Sequence, residues 1–148
     1  ISNRDILSEL INETEENMEK ISKILNEYWP GELTVIFRAN CNFTRKFDEN
    51  METVGIRIPK NKIALEIIEK SGGVVLTTSA NISGEAAPKS YKELSEAIKS
   101  KVDILIDSGE CKLGEASTII DLTSDIPKIL RKGAISIEEI EKIIGRVG

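Results

Sequence analysis

Apolar residues recur along this chain with two alternating periods, one helical and one of two. Near the start, Ile6, Leu7, Leu10 and Ile11 predict a short amphipathic helix. A second helix is predicted from Thr14 to Tyr28, with Met18, Ile21, Leu25 and Tyr28 on one stripe. Trp29-Pro30-Gly31 stops it. Leu33 to Phe37 is rich in β-formers and reads as a buried strand. Positions 40–50 are polar and read as a loop. Thr53 to Ile58 is a strand ended by Pro59. Its alternation puts Val54, Ile56 and Ile58 on one face, with Gly55 and Arg57 on the other.

Asn61 opens a helix with Ile63, Ala64, Ile67 and Ile68 expected inward, and Ser71-Gly72-Gly73 closes it. Val74 to Thr77 is a short strand and Thr78 to Pro88 a loop. Ser90 and Glu93 have capping-box spacing for a helix through Lys99. Val102 to Ile106, Ser117 to Leu122 and Lys128 to Arg131 read as strands. Ser136 and Glu139 form a second capping box, opening a helix with Ile140, Ile143 and Ile144 inward. No repeat or linker interrupts this order. The expected class is α/β (α+β by some schemes), a mixed, twisted open sheet flanked by helices in one domain over residues 1–148. Short apolar strands fit a sheet whose faces helices cover.

Composition narrows the chemistry. With 148 residues, the chain can bury a core without disulfides or metals. Cys41 and Cys111 form no CxxC pair and read as reduced thiols of a cytoplasmic protein. No apolar run is long enough for a membrane span, so no membrane partner is expected. A net charge of −5 argues against a protein whose main task is gripping nucleic acid phosphates. The sequence contains no histidine, which removes Ser-His-Asp triads, Cys-His pairs and His-ligated zinc. Chemistry here must rest on hydroxyls, amides, carboxylates, Lys and Arg.

In α/β sheets, ligands sit where strands end. Thr77-Thr78-Ser79-Ala80-Asn81-Ile82-Ser83-Gly84 leaves the apolar run Val74-Val75-Leu76 with hydroxyls, an amide and a glycine together. Such a loop either presents donors to an anion or closes on itself as a Ser/Thr/Asn turn. It is not a P-loop. Arg57 beside Gly55 either receives a ligand carboxylate in a bidentate contact or is an exposed strand residue. Ser117 and Thr118 put two hydroxyls at a strand start after Gly114. Arg131-Lys132-Gly133 ends a strand with two cations, suited to a phosphate or to a solvated turn.

Five segments in this order resemble the signature blocks of the YrdC-like family of threonylcarbamoyl-AMP synthases. They are Trp29-Pro30-Gly31-Glu32-Leu33-Thr34, Val54-Gly55-Ile56-Arg57-Ile58-Pro59, Thr77 to Gly84, Ser117-Thr118-Ile119-Ile120-Asp121 and Ile129-Leu130-Arg131-Lys132-Gly133-Ala134-Ile135. The resemblance implies synthesis of threonylcarbamoyl-AMP from L-threonine, bicarbonate and ATP. Mg²⁺ would arrive with the triphosphate, and no protein metal site is implied. It places Arg57, Thr77 and Ser117 at the threonine, and Thr53, Ser79, Asn81, Ala87 and Arg131 at the nucleotide, Thr53 and Ala87 through their backbone. The implied partners are a downstream tRNA threonylcarbamoyl transferase and, as a further candidate contact, double-stranded RNA or tRNA.

Two departures accompany the resemblance. The family has an earlier segment with a threonine-containing strand turn and a Lys-x-Arg motif. The sequence opens on Ile1 without it, and Lys20 and Lys23 do not match it, so an N-terminally incomplete domain is expected. Glu32 stands where the family more often has proline, and it is expected only to adjust the turn. Two other readings stay open: a YrdC-like module that binds nucleotide or RNA without turnover, and a carbamoyl-adenylate-forming domain of a hydrogenase-maturation type protein.

Overall fold

The computed structural model describes residues 1–44, 50–111 and 116–148. They form two compact units, Ile1–Val75 with Glu115–Gly148, and Leu76–Gly114.

The first unit is built on a mixed four-stranded sheet. In chain order its elements are α1 (Leu7–Leu10), α2 (Glu15–Tyr28), β1 (Leu33–Arg38), α3 (Cys41–Thr44), β2 (Thr53–Ile56), α4 (Lys62–Lys70), β3 (Thr118–Asp121), β4 (Lys128–Arg131) and α6 (Ile137–Ile144). The strand order is β2-β1-β3-β4. β1 runs parallel to β3, with Leu33 opposite Thr118, and antiparallel to β2, with Val35 opposite Ile56. β3 pairs antiparallel with β4.

Local signals account for the helix ends. Thr14 caps α2 by accepting from the Asn17 N–H at 3.3 Å. Asn61 caps α4 through Ala64 at 3.0 Å. Ser136 and Glu139 form the reciprocal capping box at α6. The stripe of α2 buries Ile21, Ile24 and Leu25.

The core lies between α2, α6 and one face of the sheet. Ile24, Leu33, Val35, Phe37, Ile120 and Ile140 are fully buried there. Each contributes roughly 1.5–3 kcal/mol relative to exposure. The opposite sheet face carries Thr34, Ile36 and Ile119, half-buried, and Gly55, exposed.

Several expectations change. A short helix, α3, stands inside the polar stretch read as a loop, and positions 45–49 of that stretch lie outside the described residues. β2 stops at Ile56, two residues early. In α4 the inward residues are Ala64, Leu65 and Ile68, while Ile63 and Ile67 face solvent. A nine-residue helix on the rim presents one narrow row to the core, and its hydrophobic stripe is wider than that row.

Among its described residues the second unit contains a 3₁₀ turn at Tyr91–Glu93 and α5 (Glu96–Lys99). The helix expected from Ser90 to Lys99 is thus broken. Leu94 and Ser95 are extended, and Ser90 makes no side-chain cap. The Glu93 carboxylate instead accepts from the Lys89 N–H at 2.9 Å. Neither Val74–Thr77 nor Val102–Ile106 forms a strand. Leu76 is 65% exposed and Ile104 77%. Apolar β-forming residues supply propensity, but a strand exists only when its N–H and C=O groups find a ladder partner. The described sheet gives these two segments none.

Candidate functional site

The candidate site of the first unit sits where β1 and β3 begin. Parallel pairing sets the two strand starts side by side, since the Thr118 N–H donates to the Glu32 carbonyl at 3.0 Å. Side chains there meet on the half-open sheet face. Thr34 Oγ1 and Ser117 Oγ are 2.8 Å apart. Arg131, at the end of β4, donates through Nε to the Ser117 carbonyl and through Nη2 to Ser117 Oγ, each at 3.0 Å. Ser117 is buried and Arg131 is exposed at its outer edge. Among the described residues Arg131 has no carboxylate partner, so its charge is not cancelled.

Arg57 follows β2 and is held on the turn that leads into β1. Its Nε donates to the Gly31 carbonyl at 2.8 Å, and its Nη2 pairs with Glu32 Oε2 at 2.5 Å. The Gly31 N–H in turn donates to the Ile58 carbonyl at 2.9 Å. Glycine is required at 31, because a Cβ would lie 2.5 Å from the Tyr28 carbonyl oxygen. Gly55 faces Thr34 and Ile36 and leaves the sheet surface low beside Arg57; a Cβ there would come within 3.0 Å of Ile36.

Thr118 belongs to the scaffold rather than the open face. Fully buried, it donates to the Ile135 carbonyl at 2.8 Å and accepts from the Ile135 N–H at 3.0 Å. The segment after β4 therefore folds back onto β3. Gly133 makes that approach feasible, since a Cβ would fall 2.2 Å from the Ala116 carbonyl oxygen.

Thr53 opens β2 opposite Arg38, exposed. Of the residues the motifs point to, Arg57, Ser117 and Arg131 stand at this end of the sheet. Glu32 and Thr34 join them here without being among those candidates, although both stand in the Trp29 to Thr34 block. The signal available was their two-residue spacing at a strand start, which can turn both side chains to one side. A cavity of about 330 Å³ elsewhere in this unit is lined by Asn17, Lys20, Arg38 and Thr123 among others, and holds none of the nominated residues.

The second unit carries Thr77, Ser79, Asn81 and Ala87. All but Asn81 are exposed. The loop closes partly on itself: Asn81 Nδ2 donates to the carbonyls of Ile82 at 3.1 Å and Glu85 at 2.9 Å. Thr78 Oγ1 donates to the Ser79 carbonyl at 3.1 Å, and Gly84 takes a positive φ of 89°. Asn81 Oδ1 is buried without a partner among the described residues, an acceptor left over by the turn.

The profile of the Sua5/YciO/YrdC family, described as "Telomere recombination", matches residues 1–133. The chain belongs to this family. Its sequence is similar to the threonylcarbamoyl-AMP synthase of Pyrococcus abyssi, at 37% identity over 147 residues, covering 99% of this chain and 42% of that protein. It is 32% identical to the threonylcarbamoyl-AMP synthase of Bacillus subtilis, covering 87% of this chain and 38% of the relative. The crystal structure of P. abyssi Sua5 complexed with L-threonine matches with a TM-score of 0.88, over 99% of this chain and 42% of that one. The chain thus spans less than half the length of these Sua5/YciO/YrdC relatives. No helix among the described residues is long and apolar enough to cross a membrane.

Proposed function

We propose that this chain serves an L-threonylcarbamoyladenylate synthase, a nucleotidyltransferase that uses L-threonine, bicarbonate and MgATP. The observation that carries the reading is the Thr34–Ser117–Arg131 hydroxyl and guanidinium cluster beside Arg57. It occurs in a chain similar to proteins named threonylcarbamoyl-AMP synthase and to P. abyssi Sua5, solved with L-threonine.

In this reading, Arg57 holds the threonine carboxylate and Ser117 contacts the rest of the amino acid. Arg131, with the backbone of Thr53, holds the nucleotide. The threonine amine takes up bicarbonate to give a carbamate and water. A carbamate oxygen then attacks the α-phosphorus, the bond to the β-phosphate oxygen breaks, and pyrophosphate leaves. A chain without histidine suits this chemistry. The step needs reactants held in line and developing charge met by fixed donors. Mg²⁺ enters as part of the MgATP substrate. The product is an activated carbamate, to be consumed by a transferase acting on tRNA in the cytoplasm.

The test is pyrophosphate release by the protein that carries this chain, with threonine, bicarbonate and MgATP omitted in turn. Release that needs all three supports the reading. Threonine-independent release, or none, overturns it.

A further inference from the structure

Glu32 has no role in the scheme above, yet its carboxylate is the charge paired with Arg57. The two side chains are 22% and 33% exposed, so solvent screens the pair less than it would a surface pair. A guanidinium has five N–H donors in one plane. Nε is engaged by Gly31 and Nη2 by Glu32, which lie along the same edge. Among the described residues, nothing engages the fork formed by Nη1 and the second hydrogen of Nη2, and it remains for a ligand. A carboxylate approaching that fork meets a neutral pair, with a negative charge close behind, rather than a free cation.

We propose that Glu32 is a built-in counter-ion that sets how tightly this site holds the carboxylate of its substrate. It is a positioning residue: it fixes the plane of Arg57 with the fork outward and lowers affinity by cancelling the charge. The inference rests on the reading of Arg57 as the threonine anchor. Its consequence is a substrate held loosely enough to exchange.

Glu32→Gln separates the two effects, since the amide oxygen still accepts from Nη2 while the charge is gone. L-Threonine and L-threoninol, which has an alcohol in place of the carboxylate, would be titrated by calorimetry into wild type and variant. Arg57 modification by phenylglyoxal, mapped by mass spectrometry, gives a readout independent of any ligand. The expected result is a threonine Kd lowered roughly three- to tenfold, a threoninol Kd unchanged and faster modification of Arg57. Threonine affinity unchanged or weakened in a variant with wild-type circular dichroism overturns the counter-ion. If wild type binds neither ligand, the substrate reading falls, and an unaltered Arg57 modification rate overturns the counter-ion as well. Should Glu32→Gln misfold, Glu32→Ala is measured in the same way and must show the same selective gain.

Discussion

Thr34 and Ser117, separated by 83 positions, share a 2.8 Å hydrogen bond across the starts of two parallel strands. Ser117 Oγ also accepts from Arg131. One hydroxyl therefore links the opening of β1 to the close of β4. Any ligand that displaces either contact is felt at the other, because the same oxygen serves both.

The first prediction follows from that shared oxygen. Ser117→Ala and Arg131→Ala should not add. Residues in one hydrogen-bond network couple by about 0.5–3 kcal/mol. Calorimetric titration of threonine and of a non-hydrolysable ATP analogue into both single variants and the double variant measures the coupling. Strict additivity for both ligands would place the two side chains in separate sites.

Arg57→Ala should weaken threonine far more than ATP. A charge-assisted contact to a carboxylate is worth about 1.5–3 kcal/mol, so the expected loss is about ten- to a hundredfold for threonine alone. Arg57→Lys should not restore it. An ammonium cannot reach the Gly31 carbonyl and Glu32 together while keeping a planar fork outward. Equal losses for both ligands would remove Arg57 from the carboxylate.

Thr118→Val should destabilise the fold strongly. The isosteric methyl leaves the N–H and C=O of Ile135 buried without their partner. Each such group costs about 1–3 kcal/mol. A Tm barely altered in thermal unfolding would show that Ile135 finds other partners. Gly133→Ala tests the same junction from the opposite side, because its Cβ meets backbone that cannot swing away.

Acid should loosen the last helix. The Ser136 N–H, and then its hydroxyl, hydrogen-bond the Glu139 carboxylate and hold its pKa below the ordinary 4.5. The group is depressed in the folded chain, so its stabilising contribution is present above the unfolded value and is lost as pH falls through the folded one. Glu139→Gln should lower Tm near neutral pH and flatten its fall as pH drops through and below the ordinary glutamate value. Ser136→Ala, which removes the N-cap, should cost about 1 kcal/mol. A wild-type acid limb in Glu139→Gln would dismiss the capping box as its source.

Much of the first unit could be read from the chain by itself: the stripe and N-cap of α2, the core strands β1 and β3, and the capping box of α6. Each depends on residues within about four positions, where spacing alone decides which side chains meet. The residues nominated for chemistry came from the order of the blocks, and three of them share one end of the sheet. What the tertiary structure alone decided joins distant positions. Leu76 and Ile104 stay exposed because strands need partners, which no local pattern supplies. The Ser90 cap fails for a local reason, since Glu93 accepts from the Lys89 N–H, four positions away, instead. Glu32, expected only to shape a turn, faces Arg57 because the Gly31 and Ile58 backbones are tied together across the sheet edge. Periodicity determines which face a residue occupies; the pairing of strands determines which charge stands opposite it, and here that pairing set the electrostatics of the site.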